Sequence, residues 1–264
     1  MHSPLAAAFA LALLAPLSEA IAANPDIVVS KFTDSFDGVC NADCSLREAV
    51  QFANQTPGAD RIVLGAGTYT LTIPPPDDPT GAERISDADD NINGDLDVLE
   101  ELDIVGRGSD FTVITTGQRD RIAEVLAGGK LLLSKLTIRD GLAPYRGGGL
   151  LVNAGAALTV QLSKISNNAG STTYSATEGG GIYNAGTLTV NSTAFERNSS
   201  GGEGSASGGA IYNIGSLTVR DSSFINNRTA DDNDSGFGGA IFNSGNADIR
   251  RSSFERNTAD YHGA

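Results

Sequence analysis

A block of about thirty residues recurs four times in the second half of the chain, and it limits the possible folds more sharply than any other feature. Gly179-Gly180-Gly181-Ile182-Tyr183-Asn184, Gly208-Gly209-Ala210-Ile211-Tyr212-Asn213 and Gly238-Gly239-Ala240-Ile241-Phe242-Asn243 are near copies. Gly147-Gly148-Gly149-Leu150-Leu151-Val152-Asn153 is a looser one. A second signature runs in step with the first, an apolar residue with Asn three places on: Ile165/Asn168, Phe195/Asn198, Phe224/Asn227 and Phe254/Asn257. The apolar members are spaced by 30, 29 and 30 residues. Such constancy means one supersecondary unit stacked on copies of itself, which makes the molecule a scaffold first.

Within the unit the pattern is that of strands. Ser216-Leu217-Thr218-Val219-Arg220 and Thr187-Leu188-Thr189-Val190-Asn191 alternate polar and apolar residues, as half-buried strands do. Gly186, Gly215 and Gly245 separate a first strand from a second, and the Phe-x-x-Asn segment reads as a third. Ala169–Glu178, Ser199–Ser207 and Arg228–Phe237 then read as polar loops. Strand, turn, strand, turn, strand, loop at constant length is one coil of a parallel β-helix. Coils about 4.8 Å apart put each position against itself. Ile182/Ile211/Ile241, Val190/Val219/Ile249 and Phe195/Phe224/Phe254 are therefore expected as internal ladders. Asn184/Asn213/Asn243 and Asn198/Asn227/Asn257 are expected as amide ladders at bends. The 32 glycines suit the tight corners. A leucine-rich repeat would need denser leucine and helical stretches.

Residues 1–22 read as a signal peptide, with an apolar run from Leu5 to Leu17 and cleavage after Ala22 in Ala20-Ile21-Ala22. Residues 23–60 form an N-terminal segment, and 61–264 a solenoid of about six coils plus a partial one. No other stretch approaches transmembrane length. The formal charge of −14 argues against nucleic acid and anionic membranes as partners and suits an exported protein that meets cations. Cys40 and Cys44 are the two cysteines; two thiols alone cannot complete a structural zinc site, and in an exported chain the pair reads as a small-loop disulfide.

Ahead of the coils, Asp26–Phe36 reads as one strand. Ser45-Leu46-Arg47-Glu48 opens a short helix with a capping box, its apolar face Leu46, Ala49, Val50 and Ala53, ended by Pro57 and Gly58. Such a helix is placed to cover the open end of the first coil. Cys44-Ser45-Leu46-Arg47-Glu48-Ala49 resembles the signature of the CSLREA family of exported bacterial proteins, in matching context from residue 27 to about 73. The remainder is similar to the right-handed, pectate-lyase-like parallel β-helices that commonly follow that segment. The Gly-Gly-Ala-Ile and Phe-x-x-Asn pairs also resemble repeats of the polymorphic outer-membrane autotransporters, which are adhesins. These resemblances imply an all-β fold and a secreted, cell-surface or outer-membrane location, and no known reaction.

Three groups of residues stand out as sites. Asp89, Asn91, Asn93, Asp95, Asp97 and Glu100 fall at calcium-loop spacing around Gly94, so calcium is the expected ion, against the simpler reading of a solvated acidic loop. Tyr183, Tyr212 and Phe242 share one repeat position on the face opposite the Ile ladder, a possible platform for sugars unless neighbouring loops cover it. Cys40 and Cys44 are the third. No catalytic residues are assigned: His2 and His262 lie at the chain ends, and no acid or Arg-x-Lys constellation of polysaccharide-degrading β-helices is found. The function expected is a non-catalytic surface scaffold that binds a glycan or cell-surface ligand. The alternative is a polysaccharide lyase or hydrolase.

Overall fold

The computed structural model describes residues 24–75, 91–117, 120–170, 177–202, 204, 206–231 and 236–260. Residues 1–22, read above as a signal peptide, and Asp89 lie outside these. The described chain is a parallel β-solenoid whose one helix is α1 (Leu46–Gln55). Its strands stack into four sheets of six, eight, seven and five strands, here S1, S2, S3 and S4 in the order a coil visits them. One coil shows the route: Ile182–Asn184 in S1, Thr187–Asn191 in S2, Ala194–Glu196 in S3 and Ser199–Gly202 in S4.

The expected ladders form in register. Ile182 pairs with Ile211 and Ile211 with Ile241. Val190, Val219 and Ile249 align, as do Phe195, Phe224 and Phe254. The Phe position continues upstream through Ile165, Ile138 and Ile114 to Tyr69, so one apolar column runs the length of S3. Amide ladders join the coils as well. Asn168, Asn198 and Asn227 each donate from Nδ2 to Oδ1 of the Asn one coil on, at 3.0, 3.0 and 2.9 Å. The same Nδ2 groups also reach back to Ile138, Ile165 and Phe195 carbonyls. A buried amide thus satisfies strand edges on both sides of its coil, which a buried polar group must do to be tolerated.

The corners use more than glycine. Leu162, Ser192, Asp221 and Arg251 have φ of 47° to 52°, and Asn167, Arg197, Asn226 and Arg256 have φ of 53° to 56°. Each immediately precedes a ladder residue, Ser163, Thr193, Ser222 and Ser252 in one column and the four ladder Asn in the other. A left-handed residue costs an L-amino acid about 1 kcal/mol or more. Here the sharp turn it makes delivers the next side chain to the interior. Gly179 (φ +75°) is different, because a Cβ there would collide with the Ile182 carbonyl.

Two expectations change. The polar segment after each Asn is not all loop: Leu142–Ala143, Ala169–Gly170, Ser199–Gly202, Arg228–Asp231 and Thr258–Ala259 pair in parallel as S4. Ser199-Ser200-Gly201-Gly202 has little intrinsic strand preference; the Asn ladder beside it holds its backbone in register. Asp26–Phe36 is not one strand either. Ile27–Val28 pairs with the strand Asp60–Val63, and Thr33 touches Thr70 in an isolated bridge. Between them the chain bends because its side chains serve α1 instead of a ladder.

That service is extensive. Ser45 and Glu48 form the capping box, and Leu46, Ala49, Val50 and Ala53 are buried. Glu48 also accepts from the Ser35 hydroxyl and the Asp37 N–H. Arg47, fully buried, donates to both Asp34 oxygens at 3.0 and 3.1 Å. Cys40 and Cys44 are disulfide-bonded, and the Cys44 carbonyl accepts from Ser30 N–H at 2.9 Å. No helix among the described residues is long and apolar enough to cross a membrane.

Candidate functional site: the outer row of S1

S1 strands have three residues, so the flanking two face the interior and the central one faces out. Parallel pairing links the central residues in one row: Asp97, Glu124, Leu151, Tyr183, Tyr212 and Phe242. One end of this row is acidic and the other aromatic.

At the acidic end, Asp95, Asp97 and Glu124 each bring a carboxylate oxygen within 4.8 Å of the others. Arg121 lies among them. Its Nε donates to Asp95, and its Nη2 donates to Glu124 Oε2 at 2.7 Å. Burial by itself would weaken the proton's hold on Arg121, but Asp95 and Glu124 outweigh it and raise the pKa above its already high value. Asn153 Nδ2 donates to the other Glu124 oxygen, and Asn91 N–H to Asp97 Oδ2 at 2.9 Å. Helix α1 fixes the approach to this strand. Arg47 donates to the Gly94 and Asp95 carbonyls at 2.7 and 3.0 Å, and Asn91 Nδ2 donates to the Arg47 carbonyl at 2.8 Å. Asn54 brackets the strand, donating to the Asp97 carbonyl and accepting from Leu99 N–H.

Of the calcium-loop residues, Asn91, Asp95 and Asp97 are buried and close together. Asn93 is half-buried, with its Oδ1 enclosed. Glu100 is exposed at the following corner, because Leu96–Val98 is a strand that carries the chain away from the loop. Glu124 stands where a third carboxylate is wanted. It was not selected from sequence, although Leu96-Asp97-Val98 and Ala123-Glu124-Val125 repeat an apolar-acid-apolar triplet that the register superposes. Three carboxylates are hard oxygen donors of the kind calcium takes. Arg121 now supplies the positive charge, so a cation would have to displace it.

The aromatic end is a stack. Tyr183 and Tyr212 lie 5.4 Å apart and Tyr212 and Phe242 4.9 Å apart, with rings within 12° of parallel. Arg146 covers the near end, its guanidinium carbon 4.9 Å from the Tyr183 centroid, and donates from Nε to Glu178 Oε2 at 3.0 Å. Arg146, Glu178, Ser207 and Phe237 are matched positions in successive coils. Phe237 meets Phe242 edge-on at 6.4 Å. Tyr183 is consequently buried, while Tyr212 and Phe242 remain half-buried. Burial and the Glu178 carboxylate push Tyr212 up to about 12. The inner rings spend their faces on each other, and edges and polar tips are what the row presents outward.

Fold and outer row together define a parallel β-solenoid with chemistry concentrated along one strand column. A family model described as the Chlamydia polymorphic membrane protein (Chlamydia_PMP) repeat matches residues 221–244, which hold Phe224, Asn227 and the block Gly238–Asn243. A search of curated proteins finds no match.

Proposed function

We propose that the chain is an exported, non-catalytic solenoid scaffold of the cell surface or secreted space, right-handed in sense, that binds a glycan or cell-surface ligand along the outer row of S1. The observation that carries this reading is the continuous row itself, in which aromatic edges and the Arg146–Glu178 pair adjoin a carboxylate cluster. On the same coils the central outward positions of S2 are Thr159, Thr189 and Thr218, which offer neither a ring nor a carboxylate. The repeat match at 221–244 supports a surface setting, since the matched family is one of membrane proteins. Tyr212 and Phe242 supply ring edges to a sugar, Arg146 and Glu178 hydrogen bonds, and the buried Tyr183 holds the stack in place. Calcium belongs to the same proposal: Asp95, Asp97 and Glu124 are its ligands once Arg121 swings out, and Asn91 holds Asp97 in place.

A glycan array and a cell-binding assay, each run with and without calcium, test the proposal. Tyr212→Ala and Phe242→Ala should each lower binding at least tenfold while leaving the coil folded. Undiminished binding in both variants would move the ligand off this row. Binding indifferent to calcium, with no thermal shift on adding it, would leave Asp95 and Glu124 as structural partners of Arg121 and Asp97 as the acceptor of the Asn91 N–H.

The lyase alternative draws on the same acids, because an arginine beside calcium-binding carboxylates is a lyase arrangement. Arg121 is a poor base, however. It is nearly enclosed, and two carboxylates hold it protonated. Release of unsaturated products from an acidic polysaccharide would overturn the non-catalytic reading.

A further inference from the structure

A groove of about 880 Å³ runs along the outer side of the corner where S2 turns into S3, away from the outer row of S1. Its floor is the hydroxyl column. Ser163, Thr193 and Ser222 donate to the Gln161, Asn191 and Arg220 carbonyls at 2.7, 2.9 and 2.7 Å. Ser163 and Ser222 also accept from Leu136 and Thr193 N–H groups of the preceding coil, so the floor is fixed by its own bonds. The walls are freer. Ser192 lies at the corner, and Ser223 and Ser253 pair in register at the first S3 position. Their three hydroxyls have no hydrogen-bond partner among the described residues. Leu162, 51% exposed, adds an apolar contact at the same corner.

The charge of this corner runs against that of the chain, which has 32 acidic and 18 basic side chains. Lys164 and Arg251 line the groove, and the carboxylate among its lining residues is Asp221, which is taken by Arg251 at 2.7 and 2.8 Å. Arg220 and Arg250, in register at the last S2 position, share the single carboxylate of Asp248. Glu196 stays 3.8 Å from Lys164. Lys135 occupies the corner one coil before Leu162, since its N–H meets the Gln161 carbonyl as that of Leu162 meets Asn191. It is exposed and makes no ion pair among the described residues. Cations thus outnumber carboxylates from Lys135 to Arg251, over five coils or about 19 Å at about 4.8 Å per coil. A concave surface of one sign concentrates ligands of the other.

We propose that the S2–S3 groove is a second binding site, one that takes a linear anionic glycan lying along the solenoid axis. Lys135 and Lys164 meet its sulfates or carboxylates, the free serine hydroxyls meet its hydroxyls, and Leu162 packs on a sugar ring. A nucleic acid fits less well. No ring lines the groove for bases to stack on, and an acidic chain repels a backbone charged at every phosphate.

The test is calorimetric titration of the full chain with a heparin oligosaccharide, an oligogalacturonate and a neutral dextran oligosaccharide of similar length. At least one anionic glycan should bind, more weakly as salt rises, and dextran should not; which one binds tells sulfate from carboxylate. Lys135→Gln with Lys164→Gln should lower that affinity at least tenfold, and Ser223→Trp, which fills the groove, should do the same. Tyr212→Ala, on S1, should leave it unchanged. Binding of neither anionic glycan, binding that survives both groove variants, or equal binding of dextran overturns the proposal. So does loss in Tyr212→Ala alone, which would put the glycan on S1. Polyglutamate or single-stranded DNA binding as tightly as the glycan overturns its assignment to a sugar polymer.

Discussion

Phe224 is fully buried, with Phe195 and Phe254 each 4.7 Å from its ring centre. Phe224→Ala removes contacts on two coils at once and should cost about 3–5 kcal/mol in chemical denaturation. Among the described residues Phe254 stacks on Phe224 alone, and it is 47% exposed. Its replacement by Ala should cost less than half as much. Equal losses at the two positions would mean that ring stacking contributes little and that burial in S3 is not what holds the column. The ladder Asn residues follow the same logic with polar groups. Each amide serves two coils, so a single substitution leaves unpaired donors or acceptors in both.

At the scale of elements, α1 is attached by two adjacent charged residues with different partners. Arg47 ties Asp34 to the Gly94 and Asp95 carbonyls, and its side chain and that of Asp34 are both inaccessible. Arg47→Met should cost about 3–5 kcal/mol, because it strands a buried carboxylate. Glu48 responds to pH. Burial would push its carboxyl up, but N–H groups of Ser45 and Asp37 and the Ser35 hydroxyl outweigh it and hold the pKa below the usual range. A folded pKa below the unfolded value means that its stabilisation is complete above about pH 4.3 and is lost as pH falls through the folded value. Glu48→Gln should therefore be less stable than wild type at neutral pH, with the gap closing below about pH 4 in acid-unfolding curves. A constant gap across that range would show that Glu48 acts through packing alone.

The whole molecule is a stack whose stability depends on neighbours. In the last described coil Ile249 and Phe254 are exposed, whereas their equivalents Val190, Val219, Phe195 and Phe224 are buried. Amide exchange should accordingly be faster in Ile241–Glu255 than in Ile182–Glu196, as few buried contacts mean low local stability. Phe224→Ala should speed exchange in both flanking coils, not only its own. Uniform protection along the axis, measured by mass spectrometry, would indicate one all-or-none unit in place of coupled coils.

The sequence by itself determined whatever repeats. Glycine blocks, alternating apolar residues and Phe-x-x-Asn recur at one interval, and stacking makes each position meet itself, so the ladders, their register and the parallel solenoid were legible without coordinates. The capping box of α1 was equally legible, because its partners lie three residues apart. The tertiary structure decided what does not repeat. Arg47 reaches carbonyls 47 and 48 residues away. Glu124 and Arg121 join Asp95 and Asp97 across coils, while Glu100, inside the calcium-like spacing, is carried off by a strand. Arg146 and Glu178 lie over the aromatic row from segments whose own sequence has no strand signal. S4 formed where residues with low strand preference are held by the Asn ladder next to them. A periodic pattern encodes its own contacts, since identical neighbours are guaranteed by stacking. Contacts between the N-terminal segment, the irregular loops and the coils depend on where three-dimensional packing leaves a buried charge to be answered.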